Sequence, residues 1–589
     1  MTLVVPYKGE LHHADALLMR LAEFLGISAM PVPADDIFCG SGLPSREHSQ
    51  SLVINPEVVR RCLCEDVSLS ERMQALRRRF SRILLHCVRS DSFHGALVKS
   101  LTEGRVRIAK ESSGVSRTLS FLQDERNICG QFAGLSLQAE EGTGDCEAIF
   151  AGESGFRPLV TCGEGALLAT STVEQTEILL LGSREVLDLD AEAGDAWLSE
   201  SLTKLLPHSM ALRHICENEC WRPAESIASL IIDDPLLRPQ YGFLNFARLL
   251  RLMDEHNFAA TIAFIPHNFR RNSSRTVAMF REQAQRLSIC FHGNDHTGAE
   301  FTSTSAAHLN AMLGSARARM AAHEKRSRLH CDPIMVFPQG KFSVEAMAAL
   351  RAHNFDAAVN TGSSPHGQQL RLTFRELAEP AVLRYGGFPL FLRRYSANTL
   401  EADIAFRLFF GVPILVVEHH DVFANPTALT DAVDRINRIG SGVRWRTAGD
   451  AVRRSFLQKR DSDDQVRLKA YARSVRVENL TSTAQNISIE WASPNAISSL
   501  EGAYWNDRRC SDYRVTECGV HVSARLDAAA SEDFSIRDIP STSGTAHFGL
   551  RHAARVFVRR RMSELRDNYI SKSPALLSAA KSIQRSFQH

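Results

Sequence analysis

The stretch IIDDP, residues 231–235, places two carboxylates directly after two apolar β-branched residues. Pro235 then ends the run, so Asp233 and Asp234 stand side by side at the end of a predicted buried strand. Two like charges in a partly desolvated environment repel each other, so the pKa of one of the two carboxyl groups should rise. A bound cation or a catalytic role would accommodate both carboxylates, and either one would predict a functional site here.

A pair of histidines gives the second signal, in SICFHGNDHTGAE (288–300). His292 and His296 lie just past another predicted strand, and they can converge on one ion if the backbone between them turns helically. One aspartate and two histidines make three ligands and leave a position for water, as in catalytic rather than structural metal sites. We therefore predict a divalent metal, with zinc as the expected ion.

Two further strand ends carry groups that could do chemistry. VVEHHDVF (416–423) places His419 and His420 after an apolar run, and VFPQGKFS (336–343) runs into a turn at Pro338 and Gly340. Taken alone, the histidine pair is equally well explained as ordinary loop residues, and the second stretch is better explained as a plain turn. HICENEC (214–220) could also hold an ion, but no second pair follows at finger-like spacing, so reduced cysteines in a helix are favoured there.

The elements that must position these residues form an α/β pattern. From about 225 to 455, six apolar strand-like segments alternate with helical stretches, which predicts a (β/α) barrel, closed or incomplete. Barrels place their active sites at the carboxyl ends of the strands, where the polar residues gather. We predict an N-terminal α/β domain of unknown role (1–210), the barrel (222–457), a small antiparallel β-sandwich (465–545) and a basic helical tail (546–589).

Composition narrows the class of protein. Lys and Arg total 69 against 67 Asp and Glu, so no net charge points to nucleic acid. The sequence has no apolar run near the roughly 20 residues of a membrane-spanning helix, and no basic start followed by an apolar core. We expect a cytoplasmic protein whose 13 cysteines are reduced thiols. The basic tail suggests peripheral membrane contact, although a solvated helix packed on the sandwich is the simpler interpretation.

The order of the motifs resembles that of the polysaccharide deacetylases, carbohydrate esterase family four, which have a distorted (β/α) barrel. An Asp-Asp pair ends the first strand, H-x-x-x-H follows, then a P-x-G turn, and a His-Asp step ends the last strand. The resemblance covers about 225–455 and implies a metal-dependent hydrolase. Its substrate would be an N-acetylated or otherwise acylated amino sugar, in a polysaccharide or a glycolipid precursor.

The resemblance also implies roles for individual residues. Asp233 matches the general base, and Asp234, His292 and His296 match the metal ligands. His420 matches the general acid, with His419 as the rival assignment.

This chain departs from the family at three positions. Pro235 stands where glycine is usual, and Gly293 stands where serine or threonine is usual. No arginine precedes Pro338 to orient the base, so the sequence leaves Asp233 without a predicted support.

Two other interpretations remain open at this stage. A glycoside hydrolase of the same barrel group would need a carboxylate nucleophile, for which Glu300 and Glu418 are the nearby candidates. A non-catalytic carbohydrate-binding or scaffold protein on a decayed barrel is the other, and the missing arginine favours it.

Overall fold

The computed structural model describes residues 2–38, 50–62, 68–109, 118–138, 148–440, 442–461, 465–492, 500–517, 519–539 and 549–572. The chain divides into two compact units. The first comprises Met1–Arg222 with Leu372–Arg375 and Gln458–Asp464. The second comprises Pro223–Arg371, Glu376–Leu457 and Gln465–His589.

The first unit is an α/β domain around one large sheet. Its strands are β1 (Thr2–Tyr7), β2 (Ser28–Pro33), β3 (Gln50–Ile54), β4 (Arg82–Leu85), β5 (Val106–Ala109), β6 (Thr118–Phe121), β7 (Ser136–Gln138), β8 (Ile149–Gly152), β9 (Phe156–Cys162), β10 (Gly165–Val173) and β11 (Thr176–Leu181). Its helices are α1 (His13–Phe24), α2 (Ala34–Phe38), α3 (Pro56–Arg61), α4 (Leu69–Arg79), α5 (Ser92–Leu101), α6 (Arg126–Cys129), α7 (Trp197–Lys204) and α8 (Leu206–Cys216).

The alternation of strands and helices in the sequence predicts a parallel sheet, but only part of this sheet is parallel. The order is β2-β1-β3-β4-β11-β10-β9-β6-β7, and the pairings from β2 to β11 are parallel. The strands from β10 onward pair antiparallel, and the predicted strand β5 pairs antiparallel with β8. Short hairpin connections between the later strands account for the change of direction, because antiparallel strands need no crossover helix.

The second unit contains a closed parallel barrel of seven strands. They are β13 (Ile227–Asp233), β16 (Ala260–Phe264), β17 (Leu287–His292), β18 (Cys331–Val336), β19 (Ala357–Asn360), β20 (Leu390–Tyr395) and β21 (Ile414–His419). Each strand pairs with the next, and β13 pairs with both β16 and β21, which closes the ring. The barrel prediction is therefore confirmed, with β20 as a strand that the sequence pattern did not reveal.

The barrel helices and short strands complete this part of the chain. The helices are α9 (Phe246–His256), α10 (Ser274–Glu282), α11 (Ala306–Ser327), α12 (Val344–Ala352), α13 (Phe374–Leu377), α14 (Glu401–Phe410), α15 (Thr427–Ile439) and α16 (Ala448–Arg454). The short strands are β12 (Arg222–Pro223), β14 (Gln240–Tyr241), β15 (Leu244–Asn245), β22 (Arg444–Trp445) and β23 (Phe456–Arg460). Every residue of β13 is buried, which explains its nearly continuous apolar sequence, since parallel strands are covered on both faces.

A β-sandwich and a helical segment follow the barrel. One sheet includes, in this order, β24 (Val466–Ala470), β26 (Gln485–Ala492), β30 (Gly519–Leu526) and β29 (Tyr513–Thr516). The other has the order β25 (Ser474–Glu478), β31 (Ser531–Asp538), β27 (Leu500–Trp505), β28 (Arg508–Arg509). The pairing of β24 with β26 is parallel, so the predicted sandwich is not wholly antiparallel. Trp491 and Phe534, one from each sheet, share its core.

The chain then forms helix α17 (Leu550–Leu565) and a π-helical turn, Arg566–Ile570, as predicted for the tail. Residues 546–548 and 573–589 of that tail lie outside the described residues. Within the described residues, no helix is long and apolar enough to span a bilayer.

Candidate active site

The two aspartates of the first motif reach the barrel mouth from different backbone conformations. Asp233 is the last residue of β13, and Asp234 follows it with a φ of 81°. Successive side chains of a strand point to opposite faces, so a left-handed residue is needed to turn the second carboxylate toward the first. A non-glycine residue with positive φ is uncommon and strained, and such strain is typical of functional sites.

The histidine pair converges through a loop, without the helical turn that the spacing of the two residues suggested as one way to bring them together. His292 ends β17, Gly293 follows with a φ of 66°, and His296 lies four positions on with a φ of 53°. These left-handed residues fold the loop back on itself. As a result, the two imidazole rings lie with their centroids 4.8 Å apart.

Asp234, His292 and His296 offer three ligand atoms that lie within 4.8 Å of one another. The Asp234 Oδ1 atom is 3.5 Å from His292 Nε2 and 3.2 Å from His296 Nε2. It is buried and has no hydrogen-bond partner among the described residues. His292 Nδ1 lies 3.1 Å from the Val336 carbonyl oxygen; a hydrogen bond donated there leaves Nε2 free as a ligand. A carboxylate and two imidazoles in this arrangement fit a divalent ion such as zinc.

Asp233 is held by an arginine that the sequence analysis missed. Both terminal nitrogens of Arg393 donate to the two carboxylate oxygens at 2.7 Å each, and both side chains are buried. Burial alone would raise the pKa of Asp233, but Arg393 and His292 outweigh it and lower that pKa to about 2. The carboxylate is therefore ionised at neutral pH, which is the form that a general base needs.

Arg393 belongs to β20, so the expectation that Asp233 lacks a supporting arginine was wrong. The family motif places that arginine before Pro338, whereas here it comes from the barrel strand two further along. The signal in the sequence was FPLFLRRY (388–395), an apolar run that ends in two arginines. Such a run reads as a strand whose end carries charge, as in β13.

The glycine after His292 has a steric explanation. A Cβ atom at Gly293 would lie 1.9 Å from Glu300 Oε1 and 2.5 Å from Pro338 Cγ. The Glu300 carboxylate fills that space and accepts hydrogen bonds from the backbone N–H groups of Asn294 (2.8 Å) and Asp295 (3.2 Å). Burial raises the pKa of Glu300 to about 7. Glu300 thus holds the histidine loop in its bent form.

The third motif is joined to the second. Pro338–Gly340 form a 3₁₀ turn in which Gln339 has a φ of 58°. The Gln339 side-chain oxygen accepts a hydrogen bond from the Ala299 N–H at 3.3 Å. The Pro338–Gly340 turn therefore lies against the histidine loop.

The candidates for the general acid lie in different surroundings. His419 ends β21 in register with Asp233, and its charge helps to lower the pKa of that aspartate. His420 is buried against Tyr241, with ring centroids 5.3 Å apart. Its Nε2 atom lies 3.6 Å from an oxygen of Asp567, which belongs to the C-terminal π-helical turn.

The remaining sequence candidates have structural partners. Glu418 is buried and accepts hydrogen bonds from the Ser396 N–H at 3.0 Å and from the Ser396 hydroxyl. His214 lies 2.9 Å from Glu177, and Cys216 and Cys220 are buried free thiols. In the part of the chain that the structure describes, the Asp234–His292–His296 group is the one cluster with three converging ligand atoms.

Comparisons with known proteins find similar solved structures but no matching family model or curated protein. The solved structure of the carbohydrate deacetylase Agd3 matches with 10% identity and a TM-score of 0.49, covering 91% of this chain and 98% of that chain.

Structures of family 4 carbohydrate esterases match over a smaller share of the chain. An enzyme from Streptomyces lividans in complex with acetate matches with 12% identity, 37% and 91% coverage of the two chains, and a TM-score of 0.24. A family 4 pseudoenzyme from Bacillus anthracis matches with 13% identity, 38% and 64% coverage, and a TM-score of 0.23. These neighbours belong to the group of proteins that the motifs predicted. At such identities and TM-scores, the functional argument rests on the site itself.

Proposed function

We propose that this protein is a metal-dependent hydrolase that removes an N-acetyl or related acyl group from an amino sugar of a polysaccharide or glycolipid precursor. The proposal is based on one observation: a set of candidate metal ligands and a candidate general base lie together at the mouth of the barrel. Three ligand atoms converge at Asp234, His292 and His296, and an ionised carboxylate, Asp233, ends the strand that leads to them. Amide hydrolysis needs both a polarised acyl group and a base.

The metal would be held by the Asp234 carboxylate and by Nε2 of each histidine. A bound divalent ion supplies Lewis-acid polarisation of the acyl oxygen and lowers the pKa of water from 15.7 toward about 7. The chain supplies the other groups. Asp233 takes a proton from the attacking water, and a positioned base of this kind contributes roughly 10²–10⁴-fold in rate.

Arg393 keeps the base in one orientation. A guanidinium that donates two parallel hydrogen bonds fixes the plane of the carboxylate as well as its charge. A protonated imidazole then returns a proton to the leaving amine, and we assign this step to His420, with His419 as the alternative. The assignment of roles follows the motif order together with these contacts.

The two alternative functions are less well supported. A glycoside hydrolase needs a carboxylate nucleophile. The carboxylates of Glu300 and Glu418 both accept hydrogen bonds from backbone N–H groups. The scaffold interpretation was favoured by a missing arginine, and Arg393 removes that reason.

The test combines metal analysis with activity. The purified protein, loaded with zinc, is offered a panel of N-acetylated amino-sugar oligomers, and free acetate is measured. We expect one bound ion per chain and acetate release that stops on chelation. Bound metal and glycan binding without acetate release would favour the scaffold function, and release of reducing sugar without acetate would favour the glycosidase.

The tail adds a proposed partner, an anionic lipid surface. The side chains of Phe557, Val558 and Met562 are each more than half exposed on helix α17, which also carries exposed Arg555 and Arg561. Apolar and basic side chains together favour binding to anionic membranes. Co-sedimentation with vesicles tests this contact. We expect the parent protein to sediment with phosphatidylserine vesicles and Phe557→Ser to lose this binding. Neither protein should sediment with neutral vesicles.

A further inference from the structure

The C-terminal segment, residues 549–572, packs on the loops that form the candidate active site. Its contacts reach the loops that follow three different barrel strands. Glu564 pairs with both terminal nitrogens of Arg271, after β16. His552 lies 3.1 Å from Asp295, after β17, and Asn568 accepts a hydrogen bond from the Gly242 N–H at 2.9 Å. One segment thus lies across the carboxyl edge of the barrel.

Asp567 is the residue of this segment that lies beside the candidate general acid, His420. Only 3% of it is exposed, and its carboxylate accepts hydrogen bonds from the Tyr241 hydroxyl at 2.8 Å and from Arg566 Nε at 2.7 Å. The same carboxylate lies 3.6 Å from Nε2 of His420. His420 therefore faces an anion that belongs to the protein itself.

The other nitrogen of His420 is closed off as well. Nδ1 is buried, and it has no hydrogen-bond partner within the described ranges. A Cβ atom placed on Gly242 would lie 2.2 Å from it, so the backbone of that loop passes against the ring. With the segment in this position, neither ring nitrogen of His420 is open to the leaving amine of a substrate.

The contacts that hold the segment are mainly polar. Val556 is buried, but the other large apolar side chains of α17 point outward. Ion pairs contribute little net stability, because solvent screens the exposed ones and desolvation offsets most of the attraction in the buried ones. Elements held in this way are expected to open at a much lower free-energy cost than the barrel itself.

From this geometry we propose that the C-terminal segment is an autoinhibitory latch, in which Asp567 occupies the position beside His420 that the substrate's leaving group must take. The proposal rests on the proposed function, since it takes His420 as the general acid. Release of the segment exposes Nε2 of His420 to the substrate. The protein is therefore inactive while the C-terminal segment is docked and active when the segment is released.

The first test measures activity in two variants of the full-length, zinc-loaded protein. Asp567→Ala removes the carboxylate that faces His420, and Glu564→Gln weakens the anchor to Arg271. We expect each to increase the rate of acetate release from a polymeric substrate on the order of fivefold or more, with metal content unchanged. Arg551→Gln, at an exposed position of the same helix, is the matched control and should leave the rate as it is.

The second test does not depend on activity. Diethyl pyrocarbonate modifies accessible imidazoles, and the modification of His420 can be followed by mass spectrometry. We expect Asp567→Ala, and a chain that ends at Gly549, to be modified at His420 several times faster than the parent protein. Unchanged thermal unfolding of Asp567→Ala would show that the variant is folded.

The outcomes separate the latch from the proposed function. Faster modification of His420 without acetate release from any substrate would support the latch and contradict the deacetylase. Equal modification of His420 in all variants would overturn the latch. A loss of activity in Asp567→Ala with metal retained would also overturn it, because Asp567 would then assist His420 and not block it.

Discussion

Two of the clusters in which carboxylate and imidazole groups meet are built differently. In the barrel, the ligand atoms of Asp234, His292 and His296 converge on one point. At the carboxyl edge of the parallel strands in the N-terminal unit, Asp15 accepts hydrogen bonds from His86 at 2.7 Å and from Asn55 at 3.0 Å. The first cluster brings ligand atoms to one point, whereas the second links its residues through hydrogen bonds to Asp15.

Solvent access separates the clusters further. The side chains of Asp234 and His296 are 18% and 13% exposed, so an ion or substrate can approach them. The side chains of Asp15 and His86 are 1% and 0% exposed. The other ring nitrogen of His86, Nδ1, lies 3.3 Å from the Cys87 sulfur. Similar residue types therefore make a candidate site in one unit and an internal polar network in the other.

The largest expected effect is the loss of the metal from one cluster only. His292→Ala removes one of three ligands, so we expect metal content to fall close to zero and acetate release to disappear with it. Asp15→Asn, in the other cluster, should leave the metal content unchanged. Elemental analysis of both purified variants checks the comparison. Full occupancy in His292→Ala, or metal loss in Asp15→Asn, would contradict it.

The two neighbouring aspartates should separate binding from catalysis. Asp234→Asn should weaken metal affinity, because an amide oxygen is a poorer ligand than a carboxylate for a divalent ion. Asp233→Asn should retain the metal and reduce the rate on the order of 10²–10⁴-fold, since the base is lost. Metal content and kcat for both variants test the split. Metal loss in Asp233→Asn with retention in Asp234→Asn would reverse the two roles.

The arginine behind Asp233 should show a smaller effect than the aspartate itself. Arg393→Lys keeps the charge but cannot donate two parallel hydrogen bonds, so the carboxylate should lose its fixed orientation. We expect kcat to fall roughly 10-fold or more with metal content unchanged, because misplacement of a catalytic group is costly. Arg394→Lys, the adjacent residue that pairs with Asp403, is the matched control. Equal kcat in both variants would mean that Arg393 does not position the base.

The sequence predicted those parts of the site that depend on local spacing. The residues within each of the Asp-Asp and H-x-x-x-H motifs lie close along the chain, and their types predict a metal site before the fold is known. Arg393 escaped prediction because its contact with Asp233 spans 160 positions and belongs to a strand that was itself missed. The contact between Asp567 and His420 is equally non-local, so only the folded chain brings it out.

The same limit applies to the N-terminal unit. The strands β1 and β4 and helix α1 are visible as apolar patterns, but the cluster joins Asp15, Asn55 and His86 from separate elements. No spacing rule connects such residues. The antiparallel half of the sheet was missed for a related reason, since an apolar strand does not reveal the direction of its neighbour.

The smallest predicted effect sharpens the comparison from the N-terminal side. Burial alone would lower the pKa of His86, but Cys87 and Asp15 outweigh it and raise that pKa to about 10. A raised pKa in the folded state contributes stability that is fully present below the unfolded value of about 6.5 and is lost as the pH rises through about 10. We therefore expect hydrogen exchange of α1 and β4 to accelerate between pH 7 and pH 10, after correction for the intrinsic rate. Asp15→Asn should reduce this pH dependence, because it removes the anion that favours the charged ring. The exchange of barrel strand β13 serves as the internal reference. If Asp15→Asn leaves the pH dependence of α1 unchanged, the His86 cluster does not stabilise the unit through its charge.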